Sequence, residues 1–238
     1  MPAYDNNYFT AGKSYEESHG YLRFFPKTLK TWYFREHQPK LEAKLNDHAR
    51  YLKNPKGLKI LEIGTGRGTF LHYCGKENVI GIDMSKEQAD AHCKTGFNVI
   101  CHDASKSLPF KDETFDVVYS AFVIEHIRDG GAFVKEIARV LKRGGRAIIR
   151  TADVRRCGWW LYTDYTHVQP YTVESCYGVM TDNGFRVKEL DHGITPPGFF
   201  MRRLANVAIL LPTTIQDVFF KKICTKLSYE VYIIGEKI

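Results

Sequence analysis

The sequence predicts a doubly wound α/β fold, a mostly parallel sheet of seven strands with helices on both faces. Three observations carry this expectation. After Gly57, short apolar runs alternate with helix-like spans, the order that yields right-handed crossovers and a parallel sheet. The first apolar run breaks into Gly64-Thr65-Gly66-Arg67-Gly68, a glycine turn leading into a helical pattern. The 238 residues suit one α/β domain with some decoration better than two independent ones.

Taken in order, Thr28 to Leu52 has helical periodicity, with Leu41, Leu45 and Tyr51 near one face, and Asn54-Pro55 and Gly57 end it. Lys59 to Ile63 reads as a buried strand, and the helix after the glycine turn carries Phe70, Leu71 and Tyr73. Asn78 to Ile82, closed by Asp83, is the second strand, Asn98 to Cys101 the third and Phe115 to Ser120 the fourth. Residues 130–142 form an amphipathic helix with Phe133, Ile137, Val140 and Leu141 on one side, ended by Gly144-Gly145. Arg146 to Thr151 is the fifth strand, and Phe185 to Asp191 and Glu230 to Glu236 supply two more. Residues 1–57 are expected to be an N-terminal helical segment and residues 58–238 the core, with insertions at 153–171 and 193–228.

Composition narrows the classes. Apolar residues make up 44% and charged residues 26%, enough to build a core, which excludes wholesale disorder. The longest aliphatic stretch of the C-terminal third, Val207 to Leu211, is stopped by Pro212 and falls far short of the roughly 20 residues of a spanning helix. Met1 to Ser18 is polar and tyrosine-rich and lacks a basic-then-apolar signal pattern, so a cytoplasmic location is expected. The six cysteines contain no CxxC pair and read as reduced, mostly packed thiols. The net charge of +7 suits an anionic substrate, a membrane surface or nucleic acid, and ranks none of them.

In doubly wound sheets, ligands bind at the carboxyl ends of the strands. The first loop places glycines at 64, 66 and 68, with Glu62 two residues ahead. A dinucleotide-binding loop would have its third glycine at position 69, which is Thr69. Asp83 ends the second strand, where a carboxylate can accept both ribose hydroxyls of an adenosine. Asp103 follows the third, where one can accept from an adenine amine. Each aspartate alone also fits a helix N-cap.

With these residues in place, the chain resembles the class I S-adenosylmethionine-dependent methyltransferases. The resemblance rests on Glu62-x-Gly64-x-Gly66-x-Gly68, Gly81-Ile82-Asp83-Met84-Ser85, Asp103 with Leu108-Pro109-Phe110, Phe115-Asp116-Val117-Val118, Glu125-His126-Ile127, and Val140-Leu141-Lys142-x-Gly144-Gly145. It covers residues 58–152 and is most similar to the small-molecule group typified by ubiquinone and menaquinone biosynthesis enzymes. It implies a Rossmann-like fold with S-adenosylmethionine as cofactor. By the same resemblance, the backbone at Gly64, Thr65 and Gly66 holds the methionine part, with Glu62 supporting the loop. Asp83 binds the ribose diol, Met84 packs on the adenine, Asp103 and the Ala104 N–H bind its edge, and Ser120 and Ala121 flank the reactive sulfur. Arg67 departs from the small or neutral residue usual at its position.

A sulfonium methyl is already activated, so its transfer depends on alignment, and a hydroxyl acceptor benefits further from a general base. The segment 153–171 concentrates Trp159, Trp160, Tyr162, Tyr165 and Tyr171, and Trp159, Trp160 and Tyr165 are candidates for a substrate pocket wall. Asp164-Tyr165-Thr166-His167-Val168-Gln169-Pro170-Tyr171-Thr172 resembles a DxxHxxP-aromatic-Thr pattern of bacterial methyltransferases, several of them tied to envelope glycans or natural products. His167 is the candidate base, with Asp164 to orient it; the alternative makes His167 a structural hydrogen-bonder that fixes the loop. His126 is a second candidate base. Two ligands at Asp164 and His167 without a third do not define a metal site, so no metal is expected. Thr172 is expected to cap the following helix.

Tyr4, Tyr8, Phe9, Tyr15 and Tyr21 would make the N-terminus a lid over the cofactor, or pack across a sheet edge. Arg202, Arg203, Lys221, Lys222 and Lys226, interleaved with Phe219, Phe220, Ile223 and Leu227, fit either a membrane-facing helix or one packed on the core with its charges solvated; the second is the expectation. The expected function is methyl transfer to a small-molecule hydroxyl of a sugar, an envelope-glycan intermediate or a secondary metabolite. A nucleic-acid methyltransferase is the first alternative, disfavoured because no RNA-binding module is appended and no Asn-Pro-Pro-aromatic tetrapeptide follows the fourth strand. A non-catalytic S-adenosylmethionine-binding module is the second. The acceptor and the oligomeric state do not follow from the sequence.

Overall fold

The structure is a computed structural model and describes residues 48–193, 212–218 and 228–238. The strands are β1 (Ile60–Ile63), β2 (Val79–Asp83), β3 (Asn98–Cys101), β4 (Phe115–Ala121), β5 (Leu141–Ala152), β6 (Phe185–His192) and β7 (Glu230–Lys237). They form one sheet in the order β3-β2-β1-β4-β5-β7-β6. All neighbours from β3 to β5 are parallel, and β7 runs antiparallel to both β5 and β6. This is the expected doubly wound, mostly parallel seven-stranded sheet.

The helices are α1 (Thr69–Cys74), α2 (Lys86–Lys94), α3 (Gly130–Val140), α4 (Val154–Cys157), α5 (Val173–Thr181) and α6 (Thr213–Val218). All four residues of β1 are buried, as a strand covered on both faces requires. Side chains alternate across the sheet and so build two cores. Leu61, Ile63, Val118, Ile149 and Ile233 join Phe133 and Ile137 of α3 on one face. Ile60, Val117, Tyr119, Ile148 and Tyr232 join Phe70 and Leu71 of α1 on the other. Phe70 stacks on Tyr119 with ring centroids 3.8 Å apart.

One boundary departs from expectation. The amphipathic helix stops at Val140 and β5 begins at Leu141 rather than Arg146. Phe115 pairs with Leu141 but Val117 pairs with Arg146, so residues 142–145 bulge out of the ladder. Gly144, at φ 72°, turns the bulge, and a Cβ at Gly145 would sit 2.8 Å from the Lys142 carbonyl oxygen. The two glycines serve a bulge inside a strand, not only a helix stop. At α5 the Thr172 hydroxyl accepts from Ser175 N and the Ser175 hydroxyl accepts from Thr172 N, a reciprocal cap as expected at Thr172.

Of the N-terminal segment, the described part is the short turn His48–Arg50 followed by buried Tyr51 and Leu52. The rest of the helical pattern, the lid tyrosines and the basic residues between Arg202 and Lys226 lie outside the described residues. All five cysteines among the described residues are unbridged. None of the described helices is long and apolar enough to cross a membrane.

His48 lies edge-on to Phe70 and Tyr119 and is 5% exposed. Burial and the nearby Arg150 charge lower its pKa to about 4. Because the folded value lies below the unfolded one, the contribution is complete above pH 6.5 and is lost as pH falls toward 4. Replacing His48 with leucine is therefore expected to make stability fall less steeply with acid, by up to about 3 kcal/mol across that window. Denaturant titrations of both proteins at a series of pH values check this. A wild-type-minus-variant difference that is flat with pH would overturn it.

Candidate active site

The carboxyl edge of the parallel strands gathers the predicted residues. Beyond β1, the chain turns through Gly64, Gly66 and Gly68 at φ 78°, 44° and 73°, a left-handed run that side chains bearing a Cβ rarely adopt. A Cβ at Gly64 would collide with Val123, and one at Gly68 would lie 2.5 Å from the His92 ring, whereas the position above Gly66 is open. His92, on α2, donates from Nε2 to the Gly66 carbonyl at 2.9 Å and so braces the loop from behind. Nothing in the sequence distinguished His92 from any other helical histidine.

Asp83 ends β2 and clasps this loop. Its Oδ2 accepts from Gly66 N at 3.0 Å and from the Thr65 hydroxyl at 3.2 Å, while Oδ1 accepts from Ser85 N at 2.9 Å. Ser85 then caps α2. Met84 beside it is 49% exposed, a large apolar side chain left open at the site's rim. Beyond β3, Asp103 accepts from the Ser105 N–H and hydroxyl at 3.0 and 2.6 Å. Burial raises the Asp103 pKa, and these bonds together with Lys106 more than offset it, so the carboxyl stays below its ordinary value. Ala104 follows, half-buried against the first core.

Two buried polar atoms at this edge have no hydrogen-bond partner among the described residues, Glu62 Oε2 on β1 and Ser120 Oγ on β4. Burial and the Asp83 charge hold the Glu62 carboxyl well above the carboxylate range, against the opposing Leu71 N–H. Unsatisfied buried polar atoms carry a cost that a polar ligand removes. Together with the open space above Gly66, they show that these residues fit a polar cofactor at the site. After Ala121, Phe122 takes φ 56°, a conformation costly for an aromatic residue and typical of functional sites.

The chain then forms a one-turn helix, Ile124–His126, and onto it docks the 153–171 insertion. The neck of that insertion is closed where Asp153 bridges Tyr171, with Val154 N donating to Tyr171 O at 2.8 Å. Its far side is tied down by Val168 N and Gln169 N, which both donate to the Glu125 carbonyl, at 2.9 and 3.0 Å. Leu161 is buried, while Trp159 and Tyr165 are 68% and 79% exposed. The Trp160 side chain lies outside what the structure describes.

The hydrogen bonds fix the tautomer that each candidate histidine adopts when neutral. His167 Nδ1 lies 2.6 Å from the Leu161 carbonyl oxygen. A carbonyl only accepts, so Nδ1 carries the proton and Nε2 of neutral His167 has a free lone pair. Thr166 Oγ1 lies 2.6 Å from Asp164 Oδ1 and 2.9 Å from His126 Nδ1. Burial raises the Asp164 pKa, but the Thr166 bonds and the two imidazoles outweigh it and keep the carboxyl low. Ionised Asp164 therefore takes the hydroxyl proton, and Thr166 Oγ1 accepts from His126 Nδ1–H, again leaving Nε2 free. The Asp164 carboxylate's hydrogen bonds thus go to Thr166, and it acts on the His167 ring through its charge alone. Leu161 O orients His167, and Asp164 orients His126 through Thr166, whose role has no signature in the sequence. The rings stand 4.7 Å apart, centroid to centroid.

Glu125 has a carboxylate oxygen within 4.8 Å of a nitrogen of each ring; it is 1% exposed, with Oε2 accepting from the Thr151 hydroxyl at 2.9 Å. Burial pushes its carboxyl up to about 7, only partly opposed by Thr151 and His167. Burial and the adjacent His167 lower His126, against the pull of Asp164.

A doubly wound sheet with a glycine loop clasped by the carboxylate of β2 defines a nucleoside-cofactor fold. Residues 61–149 match the family model of the methyltransferase domain, and they form a class I S-adenosylmethionine-dependent methyltransferase domain. The chain is 42% identical over 99 residues, 42% of its length and 46% of the relative's, to an uncharacterised protein of Methanocaldococcus jannaschii. It is 33% identical over 104 residues, 41% of its length and 43% of the relative's, to the ubiquinone biosynthesis O-methyltransferase of Pelagibacter ubique. It thus spans about half the length of the curated relatives it matches. Among solved structures it is similar to an S-adenosylmethionine-dependent methyltransferase of Archaeoglobus fulgidus, with a TM-score of 0.58, 24% identity and coverage of 88% of this chain and 99% of that one.

Proposed function

We propose that this protein transfers the methyl group of S-adenosylmethionine to a hydroxyl of a small molecule, a sugar, envelope-glycan intermediate or secondary metabolite. In this reading the backbone of Gly64 to Gly66 receives the methionine part, Asp83 the ribose hydroxyls, Met84 the adenine face, and Asp103 with the Ala104 N–H the adenine edge. In the same reading Glu62 supports that loop, and Ser120 and Ala121 flank the sulfonium end. The cofactor supplies an activated methyl group. The chain supplies alignment and prepares the acceptor oxygen.

The observation that carries an oxygen acceptor is the pair of imidazoles at the β4 exit. Each spends its Nδ1 proton on a fixed oxygen and keeps Nε2 open. Such groups take up or stabilise what a hydroxyl must release. His167 is assigned the principal catalytic role and His126 the second, with Asp164 positioning His126. The exposed Trp159 and Tyr165 are assigned to acceptor docking.

Replacing His167 with alanine is expected to lower turnover on the order of 10²–10⁴-fold while leaving affinity for S-adenosylhomocysteine within about twofold. A labelled-methyl assay over a panel of hydroxyl-bearing acceptors, paired with calorimetry of the product cofactor, makes the measurement. Near-normal turnover in the variant would remove His167 from the chemistry.

A further inference from the structure

The sequence offered two possible ligands, Asp164 and His167, and no third. The fold provides a different trio. One ligating atom from each of Glu125, His126 and His167 lies within 4.8 Å of the other two. We propose that Glu125, His126 and His167 together form a binding site for a divalent transition-metal cation, which activates the acceptor hydroxyl. The proposal deepens the reading of these residues given above and rests on it for the identity of the acceptor.

Three features argue for a cation. The donor set is two imidazoles and one carboxylate, a combination that leaves coordination positions open for an exogenous ligand. Each imidazole already has the outer partner that metal-bound histidines have, since Nδ1 donates to an oxygen and directs the Nε2 lone pair away from it. His167 uses the Leu161 carbonyl, and His126 uses Thr166, itself fixed by Asp164. Finally, the carboxyl of Glu125 is buried beside two imidazoles, and no cationic side chain is bonded to it among the described residues; a buried carboxylate without a cation is poorly solvated. A loaded site with bonds of about 2.1 Å draws its ligand atoms to about 3.4 Å of one another, so the two rings close inward as the ion enters. The three residues come from both sides of the junction between the one-turn helix and the insertion, and the ion would fasten the two together.

The chemistry balances. The acceptor O–H coordinates the cation through oxygen, which lowers its pKa as cations do for bound water, and its proton leaves to solvent. An oxygen lone pair then forms the new O–C bond to the sulfonium methyl carbon as the C–S bond breaks. The bonding electrons return to sulfur, giving S-adenosylhomocysteine, the methyl ether and one released proton.

The test uses tag-free, metal-stripped full-length protein titrated with Co²⁺ and read by calorimetry and visible absorption. One equivalent is expected to bind, with the absorption of nitrogen and oxygen ligation. Binding is expected to weaken on the order of 10–100-fold or more in His167→Ala and again in His126→Gln. Asp83→Ala, altered only at the cofactor loop, is expected to bind Co²⁺ like wild type, and a melt verifies that each variant is folded. No binding by wild type at millimolar Co²⁺ overturns the proposal, as does thiolate absorption or undiminished binding by both histidine variants. Since this readout needs neither cofactor nor acceptor, a metal site without methyl transfer would refute only the proposed function. Transfer that is unchanged in metal-stripped protein would refute only the cation.

Discussion

Glu230→Gln is expected to destabilise the protein by about 3–5 kcal/mol, the range seen when one partner of a buried ion pair is removed. Glu230 on β7 is fully buried and Arg150 on β5 is 3% exposed. Their Nε and Oε1 atoms are 2.5 Å apart. Tyr51 donates to the same carboxylate oxygen at 3.0 Å, and Arg150 donates to the Tyr119 hydroxyl at 2.7 Å. The guanidinium carbon also lies 4.8 Å from the Tyr51 ring centroid. The Glu230 charge, with Tyr119 and Tyr51, outweighs the burial that would otherwise lower the Arg150 pKa, so the guanidinium stays charged. Neutralising Glu230 leaves that cation buried and uncompensated. For a chain of this length the loss corresponds to a fall in melting temperature on the order of 10 °C. The double replacement Arg150→Met with Glu230→Leu is expected to recover much of it, because no charge then remains to desolvate. Thermal and denaturant unfolding of the three variants make the comparison. A loss under about 1 kcal/mol for Glu230→Gln would show that the cation finds other compensation.

Asp83→Ala is expected to abolish the thermal shift that S-adenosylhomocysteine produces. A ligand at 100 times its dissociation constant adds roughly 2.7 kcal/mol of apparent stability, a rise on the order of 5–10 °C here. The alanine removes two functions together. It frees the Gly66 N–H, the Thr65 hydroxyl and the Ser85 N–H from their common acceptor, and it removes the acceptor assigned to the ribose diol. At about 1.5–3 kcal/mol for each charge-assisted bond, two lost ribose bonds amount to at least on the order of 10²-fold in affinity. The measurement is a melt of each protein with and without ligand. An undiminished shift in the alanine variant would take Asp83 out of the cofactor site, and no shift in wild type would remove both the methyltransferase reading and the non-catalytic S-adenosylmethionine-binding one.

The sheet was legible because β1, β2, β4 and the second half of β5 are short, largely buried apolar runs separated by turns, which permits few other assignments. The loops at its carboxyl edge were legible for a similar reason, since glycines at 64, 66 and 68 and carboxylates at strand ends are local signals. The hydrogen bonding around Asp164 and His167 is not legible in the sequence, because spacing along the chain does not say which groups a side chain meets. In the structure a backbone carbonyl at Leu161 and the hydroxyl of Thr166 are the groups met, and neither group has a signature in residue type. Glu125 stood in a recognised motif, yet its partnership with His167 spans 42 positions and exists only because the insertion folds back. The β5 bulge is not legible in the sequence because Gly144-Gly145 serves a helix stop equally well.

The placement of β7 between β5 and β6 bears on how the chain reaches this state. β6 touches the rest of the sheet through β7 alone, although β7 follows it by 37 residues, from His192 to Glu230. As the polypeptide leaves the ribosome, residues 60–152 can pair in sequence while β5 keeps an open hydrogen-bonding edge. β6 has no strand to join until Glu230 to Lys237 has emerged. When β7 arrives it fills two vacant edges at once and carries Glu230 to Arg150, so sheet closure and charge neutralisation become a single late event. Until then the exposed edge of β5 is a template for another chain, and a ribosome stalled shortly before residue 230 would hold the nascent protein in its most aggregation-prone form.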